Sequence, residues 1–335
     1  MKKSLATLMF TALALSVMAI PALVSRYSAS AESKLNSTQM APAASAAAQD
    51  LVSAELSTGM VMPTKAVYAL NANNVLFILQ PGATSFTRLT PINGTDGNVI
   101  GIDFRVTDKR LYALTDRGTI YTIALGAANL GAATKVSTMT PRFDGGYQSL
   151  MDFNPVVDAI RLISSEADNY AVVKDANGIL NTTAVQTSLT YPAGDVNAGK
   201  DANIACGSYT NNVAGATVTI FYAVDHDTDQ FVTIKPAAAG GSSATGGGLL
   251  TTIGNLVTPA GTRINFSATA DCDIVTNPDG TNTVFGVNGR TLFSISLAQI
   301  KATLLPGQTQ NVVVRGVNAD PTSAGGGFID AAIRP

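Results

Sequence analysis

Five positions at matching points of a repeated β-rich pattern carry side-chain oxygens, and they are the first candidates for chemistry in this chain of 335 residues. Four are carboxylates and one is a hydroxyl: Asp103, Asp152, Ser208, Asp271 and Asp330. If the strands that carry them surround one axis, these side chains line a channel. A ring of carboxylates suits a hard cation such as Ca²⁺, which takes about six to eight oxygen ligands. The structural alternative is that each side chain accepts hydrogen bonds from backbone N–H groups where two repeats meet.

A second acidic pattern is the D-x-D-x-D formed by Asp225, Asp227 and Asp229, which matches the start of an EF-hand calcium loop. The match ends there, because Gln230 replaces the glycine of the sharp turn and Pro236 stands in place of the bidentate glutamate. Metal binding by the three aspartates is one interpretation. The other is the ordinary turn chemistry of aspartate, whose side chain bonds to nearby backbone N–H groups.

The chain has a single histidine, His226, which any Ser-His-Asp or Cys-His mechanism would have to use. No G-x-S-x-G nucleophile motif accompanies it, and one histidine with two cysteines falls short of a usual structural zinc set. P-loop and dinucleotide-binding motifs are absent as well. The sequence therefore predicts no catalytic residues, and it favours an exposed turn histidine.

The two cysteines, Cys206 and Cys272, fall in corresponding strands of neighbouring repeats. A disulfide between them suits an exported protein, because disulfides persist in oxidising compartments. In our alignment, however, Cys272 is level with Tyr209, three positions away from Cys206, which is far for a bond that needs closely spaced Cα atoms. Both the bonded and the unbonded interpretation remain open at this point.

Five copies of one unit account for most of the chain, and each has a middle strand, a polar turn and a further strand. The middle strands are Val67–Leu70, Leu111–Leu114, Ile160–Ile163, Phe221–Val224 and Val284–Val287. Four copies also have an upstream strand, and residues 327–332 at the end of the chain supply the one that the first copy lacks. We therefore predict an all-β, five-bladed propeller in which the C-terminal strand closes the first blade. A β-sandwich or an open repeat array is the alternative.

The N-terminal part has the features of an export signal over residues 1–31: Lys2 and Lys3, an apolar stretch, and Ala29-Ser30-Ala31 as cleavage site. An uncleaved membrane anchor is the alternative, since the apolar stretch approaches the roughly 20 residues that span a bilayer. Residues 32–50 have too few large apolar side chains to fold and are predicted to be a linker, so the propeller domain is residues 51–335.

Export also changes the charge of the protein. The formal net charge is −2, and losing the three positive charges of Lys2, Lys3 and Arg26 brings it to −5. An acidic protein without a basic run is a poor partner for nucleic acid or for an anionic membrane surface. We therefore expect a secreted or periplasmic protein that has neither of these partners after cleavage.

Several strings resemble a known bacterial exported family, domain of unknown function 4394. They are residues 152–161 (DFNPVVDAIR), 194–199 (GDVNAG) and 208–216 (SYTNNVAGA), together with the L-Y-A-L units. The similarity covers roughly Lys65 to Ile295, and Ala159 departs from it where the pattern has a basic residue. The resemblance implies an exported propeller-like β protein. It brings no established activity and no assigned catalytic residues.

Two classes of function fit these observations. The first is a non-enzymatic binding or scaffold protein for an unknown extracellular ligand or protein, which rests on the lack of a catalytic constellation. The second is a lactonase-like hydrolase in which Ca²⁺ in the channel polarises a carbonyl. The second class needs the channel carboxylates to converge, and a calcium titration distinguishes the two.

Overall fold

The computed structural model describes residue 60 and residues 62–143, 145–164, 166–234, 248–301, 307–318 and 327–335. The predicted signal (1–31) and linker (32–50) lie outside the described residues. No helix among the described residues is long and apolar enough to cross a membrane. The one helical piece among the elements is a 3₁₀ turn, Leu297–Gln299. The described chain is therefore built from β-strands.

The strands form five sheets, which we number as blades 1 to 5. Blade 1 contains β1 (Val67–Asn71), β2 (Val75–Leu79) and β3 (Thr87–Pro91). Blade 2 contains β4 (Val99–Phe104), β5 (Leu111–Thr115), β6 (Thr119–Ile123) and β7 (Ala133–Thr138). Blade 3 contains β8 (Ser149–Asn154), β9 (Ala159–Ser164), β10 (Asn169–Lys174) and β11 (Leu180–Val185). Blade 4 contains β12 (Ile204–Tyr209), β13 (Phe221–Asp225), β14 (Gln230–Ile234) and β15 (Leu250–Val257). Blade 5 contains β16 (Asp271–Thr276), β17 (Asn282–Asn288) and β18 (Thr291–Ser296). Three strands follow: β19 (Gln310–Val313), β20 (Arg315–Asn318) and β21 (Phe328–Ile333).

The ring is closed by β21, which pairs antiparallel with β1 as the innermost strand of blade 1. Ile333 lies opposite Val67, Asp330 lies opposite Leu70, and the Arg334 N–H donates to the Ala66 carbonyl at 3.0 Å. The five inner strands, β21, β4, β8, β12 and β16, contact one another in a closed circle. The predicted five-bladed propeller with a C-terminal closing strand is confirmed.

The core lies between the blades, because each sheet buries apolar side chains on both faces. One contact recurs between neighbouring blades: the second residue of a middle strand packs against an aromatic ring on the next inner strand. Tyr68 meets Phe104 with ring centroids 5.2 Å apart, and Tyr112 meets Phe153 at 5.1 Å. This packing brings the inner strands together around the axis and positions the side chains beside it.

Blades 4 and 5 are additionally joined by a strap. After β18 the chain crosses to blade 4, where β19 pairs in parallel with the outer strand β15, and then returns as β20 on the outside of blade 5. The strap leaves blade 4 with five strands and the other blades with four.

Candidate functional site

The strand register identifies which inner-strand residues are truly equivalent. In each blade, one inner-strand residue lies opposite the second residue of the four-residue string by which the sequence analysis defined the middle strand. These five residues are Asp103, Asp152, Ser208, Asp273 and Ala332. Asp271 and Asp330 lie two residues earlier, opposite Val287 and Leu70. The sequence alignment that made them level with Asp103 is therefore wrong by two residues. A two-residue slip keeps a side chain on the same face of its strand, so the alternation of side chains could not detect it.

These side chains cap the inner edges of the neighbouring blades. An innermost strand has a partner on one side only, so its axis-facing N–H groups need acceptors from elsewhere. Four such donors and their acceptors are Phe153 N–H to Asp103 (2.7 Å), Tyr209 N–H to Asp152 (3.0 Å), Ile274 N–H to Ser208 (3.1 Å) and Ile333 N–H to Asp273 (2.7 Å). Asp330, which lies two residues before the equivalent position of its strand, accepts the Ile102 N–H in the same way. Each capping bond crosses from one blade to the next.

Three of the carboxylates also converge on one another. One oxygen from each of Asp103, Asp152 and Asp273 lies within 4.8 Å of the others. Their side chains are buried, with exposed fractions of 2%, 2% and 1%. Among the described residues this is the one group of three or more His, Cys, Asp or Glu side chains that could hold a metal ion. The sequence analysis missed Asp273 because it aligned Asp271, on the same strand, with Asp103 and Asp152.

Burial governs the ionisation of this centre. It raises the pKa of Asp103, Asp152 and Asp271 well above the ordinary aspartate value, and neighbouring carboxylates add to the effect through like-charge repulsion. Burial also raises the pKa of Asp273 and of Asp330 to about 6, against backbone N–H bonds that favour the charged form. Asp271 and Asp330 are hydrogen-bonded to each other. The centre therefore holds protons in the pH range where exposed carboxyls have lost them.

A buried arginine, not singled out from the sequence, lies beside the centre. Arg161 is directly opposite Asp152 in the ladder of blade 3. Its Nε donates to the Tyr209 hydroxyl and one Nη to the Asn169 side chain, both at 2.5 Å. Burial and the neighbouring carboxylate of Asp273 raise the pKa of Asp152, and the positive charge of Arg161 lowers it by less. The centre is therefore acidic with one buried cation at its margin.

The D-x-D-x-D aspartates serve three separate structural bonds. Asp225 is buried and accepts the Tyr191 hydroxyl at 2.6 Å as well as N–H groups of its own turn. Asp227 accepts the Asn203 side-chain amide at 2.7 Å, and Asp229 accepts the Phe266 N–H at 2.8 Å. Among the described residues, the three carboxylates do not meet as Asp103, Asp152 and Asp273 do.

His226 follows Asp225 on the β13–β14 turn. Its side chain is only 16% exposed, so the prediction of an exposed turn histidine is wrong. Its Nδ1 lies 3.3 Å from the carboxylate of its neighbour Asp227. No serine or cysteine nucleophile contacts the histidine in the described residues, and both cysteines are bonded to each other. In the same turn, Asp229 accepts the Phe266 N–H, so the turn contacts the segment that links β15 to β16.

Cys206 and Cys272 form a disulfide between the inner strands of blades 4 and 5, with Cα atoms 5.3 Å apart. The corrected register explains the proximity. Cys206 lies opposite Val224, and Asp271 lies opposite Val287. Val224 and Val287 are both the last residue of their middle-strand string, so Cys206 and Asp271 are level. Cys272 is thus offset from Cys206 by one position, and the three-position offset expected from the alignment is wrong.

The string at residues 194–199 fastens a connecting segment to blade 4. Asp195 accepts both the Thr252 N–H (2.8 Å) and the Thr252 hydroxyl (2.7 Å). The Asn197 side-chain amide donates to Gln230 at 2.5 Å. The polar residues of this string are therefore used inside the fold.

A family model matches residues 74–318, and it covers most of the chain. The chain belongs to the family described as domain of unknown function (DUF4394). The resemblance inferred from the sequence strings is thereby confirmed, and the family description names no activity. No curated protein matches the chain significantly.

Solved structures show only distant similarity. A protein of unknown function from Bacteroides thetaiotaomicron VPI-5482 is 10% identical with a TM-score of 0.42, over 82% of this chain and 62% of its own. A candidate 6-phosphogluconolactonase from Bacteroides uniformis ATCC 8492 is 11% identical with a TM-score of 0.38, over 78% and 70%. The Myceliophteria thermophila Cps50 (Swd1) β-propeller domain is 10% identical with a TM-score of 0.36, over 76% and 72%. The chain spans 62% of the first of these proteins, and similarities at this level carry no functional argument.

Proposed function

We propose that this DUF4394 member is an exported, non-enzymatic binding protein that presents one end of blades 3 and 4 to a protein partner. The centre that could do chemistry is enclosed, and its oxygens bind backbone N–H groups of the next blade. Those groups hold the ring together, which is the structural alternative considered from the sequence. The surface is therefore the place to look for a partner.

The observation that carries this proposal is the distribution of exposed apolar side chains. All the large apolar residues that are exposed among the described residues lie between residues 157 and 249. Six of them lie at one end of blades 3 and 4, in the connections from the first strand to the second and from the third to the fourth: Val157, Ile179, Val213, Val218, Ile220 and Leu249. We call these six residues the apolar end.

The β12–β13 part of the apolar end, with Val213, Val218 and Ile220, has the composition of a protein-binding surface. No charged residue occurs between Ile204 and Val224, a stretch that includes the whole β12–β13 connection. Val218 is 66% exposed and Ile220 is 47% exposed. Clustered apolar exposure on a soluble domain is typical of interaction sites, and depletion of charge is typical of interface cores.

Site-specific photo-crosslinking tests the proposal. A photoreactive residue at Val218 in the exported protein is expected to give one discrete adduct in the producing cells. Unlabelled wild-type protein should compete with the adduct, and the Val218→Ser/Ile220→Ser variant should not. The matched control is Val196→Ser, an exposed apolar residue on the 186–203 connection at the opposite end, which should compete like wild type. Equal competition by all the proteins would refute the apolar end as the binding site.

A calcium-dependent hydrolase is the second candidate, favoured by the convergence of Asp103, Asp152 and Asp273 within 4.8 Å. Three carboxylates are hard oxygen ligands that fit Ca²⁺, which would act as a Lewis acid on a carbonyl. Calorimetric titration of the protein with CaCl₂ tests this candidate. Heat that is lost in Asp152→Asn but kept in the surface variant Asp175→Asn would support it, together with turnover of a lactone. The absence of calcium heat and of any melting shift would remove it.

A further inference from the structure

The outer strands of the blades differ in how they are protected against pairing with another chain. The outermost strand of a sheet exposes unpaired N–H and C=O groups, and proteins commonly guard such edges with Lys, Arg or Pro. In blade 1, β3 contains Arg88 and Pro91; in blade 2, β7 contains Lys135; and in blade 5, β20 contains Arg315. Three of the five outer edges therefore carry a residue that opposes pairing.

Blade 4 is protected in another way. Its outer strand β15 is covered by β19. The edge of β19 is itself capped by a side chain, because Gln299 accepts the Val313 N–H at 2.8 Å and donates to the Val313 carbonyl at 3.0 Å. Blade 4 thus shows that a blade of this protein can accept one more strand at its outer edge.

The remaining outer strand, β11 of blade 3, has neither kind of protection. Its sequence, LNTTAV, contains no charge and no proline, and no charged residue occurs anywhere from Ala176 to Gly194. Within the described part of the chain, no strand pairs with its outer side. Val185 is 61% exposed at its end. At Leu180 the backbone carbonyl accepts the Ser137 hydroxyl of β7. Beyond it, β11 is an uncharged, β-prone edge without a paired strand, the type that recruits another strand.

The direction of the free N–H groups follows from the ladder. The Gln186 N–H donates to the Asn169 carbonyl on β10 at 2.8 Å. Because successive N–H groups of a strand point to opposite sides, those of Thr183 and Val185 point away from β10. The alternation stops at Asn181, because the register between β10 and β11 shifts between Thr182 and Leu180. The Thr183 hydroxyl is buried and has no hydrogen-bond partner. Two backbone donors at alternating positions are thus placed to bind an added strand.

We propose that β11 pairs antiparallel with β11 of a second copy of this chain, which joins two propellers about a two-fold axis through one eight-stranded sheet. A two-fold contact brings two copies of the same strand together, so any charge on the strand lies near the same charge of the second copy. β11 is free of this penalty, whereas β3, β7 and β20 are not. With Thr183 opposite Thr183 of the second copy, the outward N–H of each Thr183 faces the carbonyl of the other.

A second copy also explains why the edge is neutral. An acidic or basic partner would be recognised by complementary charge, and β11 has none to offer. The proposed contact uses the outer rim of blade 3, and it is independent of the partner that we place at the apolar end.

Sedimentation velocity over a range of protein concentrations tests the proposal. The wild-type protein is expected to form a dimer, and Thr182→Lys/Ala184→Lys, which places two lysines on exposed positions of β11, is expected to be monomeric. The matched control is Thr134→Lys/Thr138→Lys on β7, also at exposed positions, which should remain dimeric. A monomeric wild-type protein, or a dimer that persists in the β11 variant, would overturn the proposal.

Hydrogen exchange gives a second test that needs no variant. In the wild-type protein, amide protection in the peptide covering residues 180–185 should increase with protein concentration, because dimerisation buries the outward N–H groups. The peptide covering β7 should show no such increase. Concentration-independent protection of both peptides would contradict the β11 contact even if the lysine variant failed to fold.

Discussion

The Ile333 N–H donates to the Asp273 carboxylate at 2.7 Å, and this bond joins blade 5 to the strand that closes blade 1. The other oxygen of Asp273 accepts the hydroxyl of Ser208 in blade 4 at 3.0 Å. One side chain therefore connects three consecutive blades. It does so two residues away from Asp271, the position that the sequence alignment favoured.

Replacing Asp273 with Ala should weaken the closure of the ring. The change leaves the buried Ile333 N–H without its acceptor, which costs about 1–3 kcal/mol of unfolding free energy. Asp273→Asn keeps one acceptor oxygen and should lose less. Urea unfolding followed by circular dichroism at pH 5 measures both, with Asp201→Ala at an exposed position as the control. A loss in Asp273→Ala no larger than in that control would show that the bond adds nothing.

Stability should decrease as the pH rises. The pKa values of the central aspartates are raised, so the native state binds more protons than the unfolded state above the ordinary aspartate pKa of 3.8. The free energy of unfolding therefore falls as the pH rises from about 4, and Asp273 and Asp330 lose their contribution as the pH passes about 6. Melting temperatures recorded in chelator from pH 4.5 to 8.5 test this prediction. A melting temperature that rises over this range would contradict it.

Loss of the disulfide should destabilise the junction of blades 4 and 5. Cys206 and Cys272 are 66 residues apart, and the chain-entropy model gives about 4 kcal/mol for closing a loop of that size. The Cys206→Ala/Cys272→Ala variant should melt at a lower temperature than wild type under oxidising conditions. Unfolding wild type in the presence of a reductant should reproduce the loss, and the reductant should leave the variant unchanged. Equal melting of both proteins without reductant would show that the bond does not contribute.

Asp158 should contribute through charge and through backbone conformation separately. Its carboxylate accepts two bonds from Arg105, at 2.7 and 2.6 Å, and one from Lys174 at 2.7 Å, while its φ is 52°. Asp158→Asn keeps a residue that tolerates this conformation and should lose about 1 kcal/mol at this partly exposed site. Asp158→Ala should lose roughly 1 kcal/mol more from backbone strain. Urea unfolding at low and high salt measures both, and only the part lost in Asp158→Asn should shrink with salt.

The architecture was predictable because the middle strands repeat a recognisable string. Val67–Leu70 and Leu111–Leu114 share a pattern of large apolar residues around a small third residue, and the same pattern recurs in blades 4 and 5. Blade 3 departs from it with Ile160-Arg161-Leu162-Ile163. The closing strand was predictable for a related reason, since the first copy lacks an inner strand and residues 327–332 resemble one. Both features depend on local sequence, which a repeat makes visible.

The composition of the central site was only partly predictable. Asp103 and Asp152 were identified, whereas Asp273 was missed because D-C-D offers two aspartates on the same face of one strand. The residue that follows gives the missing signal. Phe104, Phe153, Tyr209, Ile274 and Ile333 are all large apolar residues, and each follows the axis-facing position of its strand. The small Cys272, which follows Asp271, breaks that rule.

The environment of Arg161 could not have been anticipated, because one of its two partners is 48 residues away in sequence. Its guanidinium is held by Asn169 from the next strand and by Tyr209 from the next blade. Only the packing of blade 3 against blade 4 brings Tyr209 to Arg161. The same limit applies to the disulfide, whose geometry depends on a register that the sequence pattern leaves ambiguous by two residues.

The bond between Arg334 and Ala66 places the first and last residues of the propeller side by side. A force applied to Ala66 and Arg334 would act across the β1–β21 ladder and break its backbone hydrogen bonds one pair at a time. The first rungs to break would be those at Val67 and Ile333, followed by the pairs toward Leu70. Under tension, the β1–β21 pairing in blade 1 would therefore open before force reached the other four blades.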